Sequence, residues 1–505
     1  MGDVILTGLA SNDPVPGNYL EVNFAQGEAG GDNSARSILI FANKTPSGTA
    51  VVDTTVYGPD TATPASTEQQ ITTLTGFGSE VHRSWRWASK LNNITAIYFI
   101  CVAESAGANA TGTLTIATTP TGAGTVRLEA LEEVIEYSFA TGDTVTAIAV
   151  GVCAQVNLRT HLPFTASNVA GVITFTAKNK GPRGNQLRFF AQIISNGSVA
   201  TTVSPSVDTA FTGGTTADNI TNALATVASK FYYHHVYAQA DATNKALACT
   251  QLDTQALPVT GKRYRAFFGS VDTPANSNAL AIACNTAVAE LVASEANPLP
   301  ALELAAIAAA TYAFEELPDN FRTNFVGFGD TPDTQARWPV PAPRNDADHP
   351  TRAEILSMLN NGVTPIGVGA ARRTFIVNRI TTRSLTGAVN DYRIRAAHKV
   401  SVMHRFAADW LVKLKLQYGG FRLAPDPPKG KTLPGPKVLC PAMAKGAAKG
   451  LIDVYDGRTL IVDAATTKTD LQIAINASNK ARLDCRIRLT PVDNFEQSAT
   501  ALDQL

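Results

Sequence analysis

Two basic, glycine-bearing stretches have the composition of a phosphate cradle. The first, "PDPPKGKT", carries Lys429, Gly430 and Lys431. A P-loop needs glycine five residues before Gly430 so that the backbone can wrap the phosphates, and Pro425 stands there instead. The prolines that follow block the required helix, so the stretch reads as a rigid, solvated basic loop. The second, "TFTAKNKGPRGNQLRF", places Lys178, Lys180 and Arg183 around Gly181 and Gly184. No helix N-terminus follows to aim N–H donors at an anion, so it reads as a hairpin tip with its basic residues facing water. On that reading, trimming it leaves the rest of the protein intact.

Other reactive side chains are equally uninformative. His234 and His235 are neighbours on an expected strand and point to opposite faces, which disfavours joint metal binding. The seven histidines show no HExxH spacing, and no GxSxG elbow occurs. The six cysteines (Cys101, Cys153, Cys249, Cys284, Cys440, Cys485) have no close spacing. They are expected as small buried hydrophobes in a reducing compartment, without a zinc site or a disulfide framework. No catalytic residue, cofactor or metal is expected, and the chain does not read as an enzyme.

Charge is more telling. Lys plus Arg and Asp plus Glu both number 42, so the chain is neutral overall and has little repulsion to keep copies apart. Yet Arg372 to Gly450 holds 16 Lys or Arg against three acids, Asp391, Asp409 and Asp426, a net of +13. Phe406, Trp410 and Tyr418 fall there at helical steps, as in a packed stripe, rather than interleaved with the basic residues as nucleic-acid binding favours. The segment therefore suits an acidic protein partner.

The elements that must carry these residues divide the 505 residues into several parts. Residues 1–35 read as an arm and linker: "DPVPGNYLEVNF" alternates at Tyr19, Leu20, Val22 and Phe24, and a polar tether follows. Residues 36–110 together with 216–370 read as an α/β layered core. Within it "STEQQITTLTGFG" starts a helix, "SNALAIACNTAVAELVAS" is a helix, and "TPIGVGAARRTFIVNRITT" is a hairpin. Residues 111–215 read as a β-rich insertion of short alternating strands with one helix, capped near Thr141, Asp143 or Thr144. Residues 371–505 form a basic C-terminal part with a long helix and, near the end, "ARLDCRIRLTPV" as a strand. The fold class is thus α/β and α+β multidomain with extended strands near both ends. A strand beyond a flexible tether needs a sheet edge, which a second copy can supply. "MGDVILTGLASNDP" lacks the basic start and apolar run of a signal peptide, and "LPALELAAIAAATYAF" is too short to span a bilayer. No membrane insertion is expected.

Several segments together resemble the contractile-tail sheath proteins of Mu-like bacteriophages. They are the arm "VPGNYLEVNF", the insertion with its "KGxxGN" turn, the helix–glycine–hairpin segment ending on Arg379 to Thr382, "VSVMHRFAADWLVKLKLQY" and "ARLDCRIRLTPVDNFEQ". The proline-heavy "FRLAPDPPKGKTLPGPKV" departs from that pattern. The resemblance implies a virion tail protein, assembled in the host cytoplasm, that stacks as hexameric rings around a tail tube and contracts to drive the tube through the host envelope. It implies copies linked by exchanged terminal strands, here Tyr19, Leu20, Val22 and Phe24 at one end and Cys485, Ile487 and Leu489 at the other. The tube-facing basic residues are expected to be Arg393, Arg395, Lys399, Arg405 and Lys413. Implied partners are the tail tube protein and the baseplate and tail terminator proteins, with no direct nucleic acid. The alternatives are another self-assembling virion, shell or tube protein, or the sheath of a phage-tail-like injection particle.

Overall fold

A computed structural model describes residues 36–317, 321–386, 389–390, 395–431 and 436–494. Tyr19, Leu20, Val22, Phe24 and Arg393 lie outside the described residues. The chain enters with strand β1 (Ile38–Ala42), then β2 (Val56–Tyr57), helices α1 (Glu68–Thr75) and α2 (Glu80–Leu91), and β3 (Ile97–Cys101). Thr67 starts α1 with a capping box to Gln70, satisfying donors that the first turn leaves orphaned.

The next hundred residues build two small antiparallel sheets. β4 (Asn109–Ile116), β5 (Gly124–Ala130), β6 (Glu133–Phe139), α3 (Val145–Leu158), β7 (Phe164–Val169), β8 (Val172–Lys180), β9 (Arg188–Ile194), β10 (Val203–Ser204) and β11 (Thr209–Ala210) follow in order. They pair as β10-β4-β8-β7 and β11-β9-β5-β6. Alternate residues face inward, and Phe164, Phe175, Phe189 and Phe211 meet between the sheets with centroids 5.1 to 6.2 Å apart. Thr144 caps α3 by accepting from the Ala147 amide.

The chain then returns beside β1. α4 (Thr221–Val227), β12 (His234–Tyr237), α5 (Ala242–Gln255), β13 (Arg265–Ser270), α6 (Pro274–Cys284), β14 (Ala289–Ala293), α7 (Ala301–Glu315), α8 (Pro332–Gln335), α9 (Arg352–Asn360), β15 (Thr364–Val368) and β16 (Thr374–Ile376) complete an eight-stranded sheet. Its order is β16-β15-β14-β13-β12-β1-β3-β2, parallel from β15 to β3 with an antiparallel strand at each edge. Both faces are covered, which is why β1 reads Ile-Leu-Ile-Phe-Ala and is wholly buried. Ile38 and Ile40 join the core with α2 and α7, while Leu39 and Phe41 join the core with α4, α5, α6 and α9. α7 is alanine-rich and buried nearly all round, packed on the sheet over β12 to β14 with α2 beside it over β1 and β3. Among the described residues no helix is long and apolar enough to cross a membrane.

Two expectations fail in this region. "SNALAIACNTAVAELVAS" is not one helix: Asn285 takes a left-handed conformation, ends α6, and the fully buried β14 follows. A strand buried on both faces has no alternation, so periodicity alone cannot separate it from a buried helix. Nor are the cysteines all separate. Cys249 on α5 and Cys284 on α6 are disulfide-bonded, with Cα atoms 6.1 Å apart, because the two helices lie side by side on the sheet. A separation of 35 residues gave no sign of this.

The remaining residues form β17 (Leu385–Thr386), β18 (Val389–Asn390), α10 (Ala397–Tyr418), β19 (Arg422–Leu423), β20 (Val438–Leu439), α11 (Pro441–Gly457), β21 (Ile461–Val462), α12 (Ala464–Thr469), β22 (Gln472–Ile475), β23 (Leu483–Arg486) and β24 (Thr490–Pro491). This C-terminal layer has its own core, where Phe406 and Trp410 meet Tyr455, Ile473, Ile487 and Leu489.

Candidate functional site: a basic layer and the buried arginine clamps

The C-terminal layer is fastened to the amino ends of the sheet strands by a buried ionic network. Arg379, from the Arg-Ile-Thr-Thr string after β16, donates twice to Glu290 of β14, at 2.8 Å each, and once to Glu316 after α7, at 2.5 Å. Its guanidinium lies 3.8 Å from the Tyr312 ring centroid. Arg265 at the start of β13 also pairs with Glu290, and it donates to the Ala397 carbonyl and the Ser401 hydroxyl of α10, both at 3.2 Å. Glu316 accepts from Arg36 at 2.5 Å and from Ser401 at 2.7 Å. Three arginines thus face two carboxylates, and the carboxyl end of α7 supplies further negative potential. Burial alone would raise the Glu316 carboxyl, but Arg379, Arg36 and Arg265 hold it well below the usual range. His234 and His404 border this network and are kept neutral by burial. His234 and His235 do sit on one buried strand, but His235 turns to Tyr237, 3.0 Å away, and burial pushes it down to about 3.

At the opposite edge, the carboxyl ends of β1 and β12 meet where the sheet's winding reverses. Doubly wound sheets keep their ligand crevices at such points. Here the crevice is filled by the protein itself. Arg183 donates to Glu80 at 2.8 Å, to Asp218 at 2.6 Å and to the Asn43 side chain at 2.9 Å, and Gln239 donates to Asn43 at 3.1 Å. This overturns the expected water-facing tip. Residues Pro182–Gln186 form a tight 3-10 turn whose arginine points inward, 11% exposed. Gly181 has φ +97°, and a Cβ on Gly184 would come within 2.8 Å of the Ala110 Cβ. Lys178 donates to the Phe77 and Thr160 carbonyls, at 3.0 and 2.7 Å, and burial lowers its amine to about 8. A second arginine joins the same layers: Arg83 of α2 pairs with Glu303 of α7 and with Glu132 from the turn after β5.

Among the described residues, three possible metal donors converge at Glu132, Glu133 and His161. Each already has a partner: Arg83 holds Glu132, and His161 bonds Glu133 at 2.9 Å.

The expected tube-facing residues separate. Arg405 is corrected: it is 4% exposed, 4.5 Å from the Phe321 ring, because the first half of α10 is buried, packing on α11 and meeting the amino end of β13. Lys399 is partly exposed and pairs with Asp493, while Arg395 and Lys413 are partly exposed. The exposed cations of the Arg372 to Gly450 segment, among the described residues, are instead Arg372, Arg373, Lys415, Arg422, Lys429, Lys431, Lys437 and Lys449. The +13 count contained them, but helical spacing drew attention to the buried half of α10. Cys485 pairs with Ile473 across β22 and β23, and Ile487 and Leu489 are buried in the C-terminal core. Beside β22 runs an open groove of about 650 Å³ lined by Leu423, Pro425, Pro441, Ile473 and Ile475, with Lys445 and Lys480 at its sides.

This chain resembles phage tail sheath proteins. The tail sheath protein of the Mu-like prophage FluMu of Haemophilus influenzae is 25% identical over 174 residues. The match spans 34% of this chain and 34% of that protein, about a third of each. No family model matches. Among solved structures, the sheath tail protein of Listeria innocua is 11% identical, with 93% of this chain and 94% of that one covered and a TM-score of 0.47. The corresponding protein of Desulfitobacterium hafniense is 12% identical, with 95% and 100% covered and a TM-score of 0.45. The sheath of an extracellular contractile injection system, in its contracted state, is 11% identical, with 98% and 99% covered and a TM-score of 0.47.

Proposed function

We propose that the chain is the structural subunit of a contractile phage tail sheath, stacking as hexameric rings around a tail tube and contracting to drive the tube through the host envelope. The observation that carries this reading is the identity shared with the Mu-like prophage sheath protein. In this reading 36–110 with 216–370 is the sheath core, 111–215 an inserted accessory domain, 371–505 the assembly domain and 1–35 the arm. The subunit is a virion tail component that meets the tail tube, the baseplate and the tail terminator, and it needs no nucleotide because contraction releases free energy stored during assembly.

The groove beside β22 supports strand exchange between copies. Its apolar walls and strand backbone suit an extended segment, and the six residues Tyr19 to Phe24 would span about 20 Å as a strand. Main-chain hydrogen bonds contribute about 1 kcal/mol each, enough for a link of a few kcal/mol that a flexible tether lets rotate. Cys485, Ile487 and Leu489 then brace the receiving hairpin as well as leading to the end of the chain. The test is deletion of residues 1 to 24. The truncated protein should stay folded by circular dichroism and form no tubes in electron micrographs. Normal tubes from it would sink the strand-exchange reading.

A further inference from the structure

We propose that Cys249 and Cys284 form a redox latch that sets how firmly the segment Thr382 to Leu385 is held on the sheet. Cys249 is buried on α5, and Cys284, the last residue of α6, is half-buried beside it. The two residues after Cys284 hold the segment, and the Thr382 amide also donates to the Ala289 carbonyl of β14 at 2.9 Å. The Asn285 side chain accepts from the amides of Ser384 and Leu385, both at 3.0 Å, and donates to the Leu385 carbonyl at 3.0 Å. The Thr286 amide donates to the Thr382 hydroxyl at 3.2 Å, and that hydroxyl donates back to the Thr286 carbonyl at 3.0 Å. Thr286 also donates through its own hydroxyl to Asp253 of α5, at 2.8 Å. This turn therefore holds Ser384 and Leu385, on the segment that leads from the Arg379 clamp towards α10, and the disulfide to α5 immobilises the turn.

Closure needs a disulfide oxidant such as oxidised glutathione. The more accessible Cys284 thiolate attacks one of its sulfurs, forming a mixed disulfide and expelling one glutathione thiolate. The Cys249 thiolate then attacks the Cys284 sulfur and expels the second. Two electrons pass from the cysteines to glutathione, and the two protons end on the released thiols. A reducing cytoplasm leaves the latch open and an oxidising medium closes it. Only its timing, open during assembly and closed on release, rests on the sheath reading.

The test uses the purified full chain equilibrated with excess dithiothreitol or with excess oxidised glutathione. Alkylation mapped by mass spectrometry should find Cys249 and Cys284 linked only in the oxidised sample. Amide hydrogen exchange at Ser384 and Leu385 should then be about tenfold slower in the oxidised sample. The Cys249→Ser, Cys284→Ser double variant should show the faster exchange in both media. Two alkylatable thiols in oxidised glutathione, or equal exchange in the two wild-type samples, would overturn the latch. Neither readout depends on tube formation, so failure here is distinct from failure of the sheath reading.

Discussion

Replacing Arg379 with methionine keeps the length of the side chain and removes the charge that two carboxylates share. Glu290 and Glu316 would be left to Arg265 and Arg36 in a dry site. Breaking a buried pair in this way costs about 3 kcal/mol or more, which urea unfolding would detect as a clear fall in the midpoint. The same network sets an acid limit. Glu316 has a depressed pKa, so its contribution is complete above the ordinary glutamate value and is lost as the pH falls through its own lower value. The histidines act earlier. His82, held at about 4 mainly by burial, and His234, His235 and His404 resist protonation in the fold while the unfolded chain accepts it. Below about pH 6.5 each should cost about 1 kcal/mol per pH unit. Unfolding midpoints should therefore fall steadily from pH 7 to 5; equal midpoints would show that these rings are protonated in the fold. The Arg379 to Thr382 string was legible as a motif, but its role was not. Its carboxylate partners stand 89 and 63 residues away, and only the fold brings them within reach.

The alternating strands, the cap of α3 and the β15–β16 hairpin were readable from local alternation and capping residues, since those signals lie within one element, whereas the fully buried β14 was not. What a turn touches is a tertiary matter, and the turn at Gly181 to Gln186 demonstrates it. Its glycines and cations look like those of a solvated tip, but Arg183 reaches Glu80 at the start of α2, Asp218 before α4 and Asn43 just after β1. Arg183→Ala leaves the buried Asp218 with its hydrogen bonds from Asn43 and Ser105 but without a counter-charge, and should lower stability by about 3 kcal/mol. Trimming the turn should likewise lower the thermal midpoint by several degrees, because it removes the Arg183 and Gly184 contacts together. A trimmed protein as stable as the parent would restore the solvated tip.

Across the whole molecule, neutrality conceals a division: the basic C-terminal layer is balanced by an acidic remainder. If Lys413, Lys415 and their exposed neighbours meet an acidic tube, that contact is screened by salt over a Debye length of about 8 Å at physiological strength. Reversing both lysines to glutamate should weaken co-sedimentation with the tube at low salt and leave the unfolding midpoint within about 0.5 kcal/mol of the parent. Association indifferent to both changes would remove electrostatics from the contact. Composition showed the charge asymmetry; which cations reach the surface depended on tertiary packing, as the burial of Arg405 on α10 illustrates.

The order of the large sheet also constrains how a nascent chain reaches this shape. β1 lies between β3, which follows it closely, and β12, whose first residue His234 pairs with Ile38. As the polypeptide leaves the ribosome, one edge of β1 must wait for almost two hundred residues to be made. The two small sheets have short-range pairings such as β5 with β6 and β7 with β8, and they can close during that interval. A strand as apolar as Ile-Leu-Ile-Phe-Ala, left with an open edge, invites a wrong neighbour. Slow translation through the α4 and β12 codons would lengthen that exposure, so the yield of soluble protein should depend on synthesis rate there more than anywhere earlier in the chain.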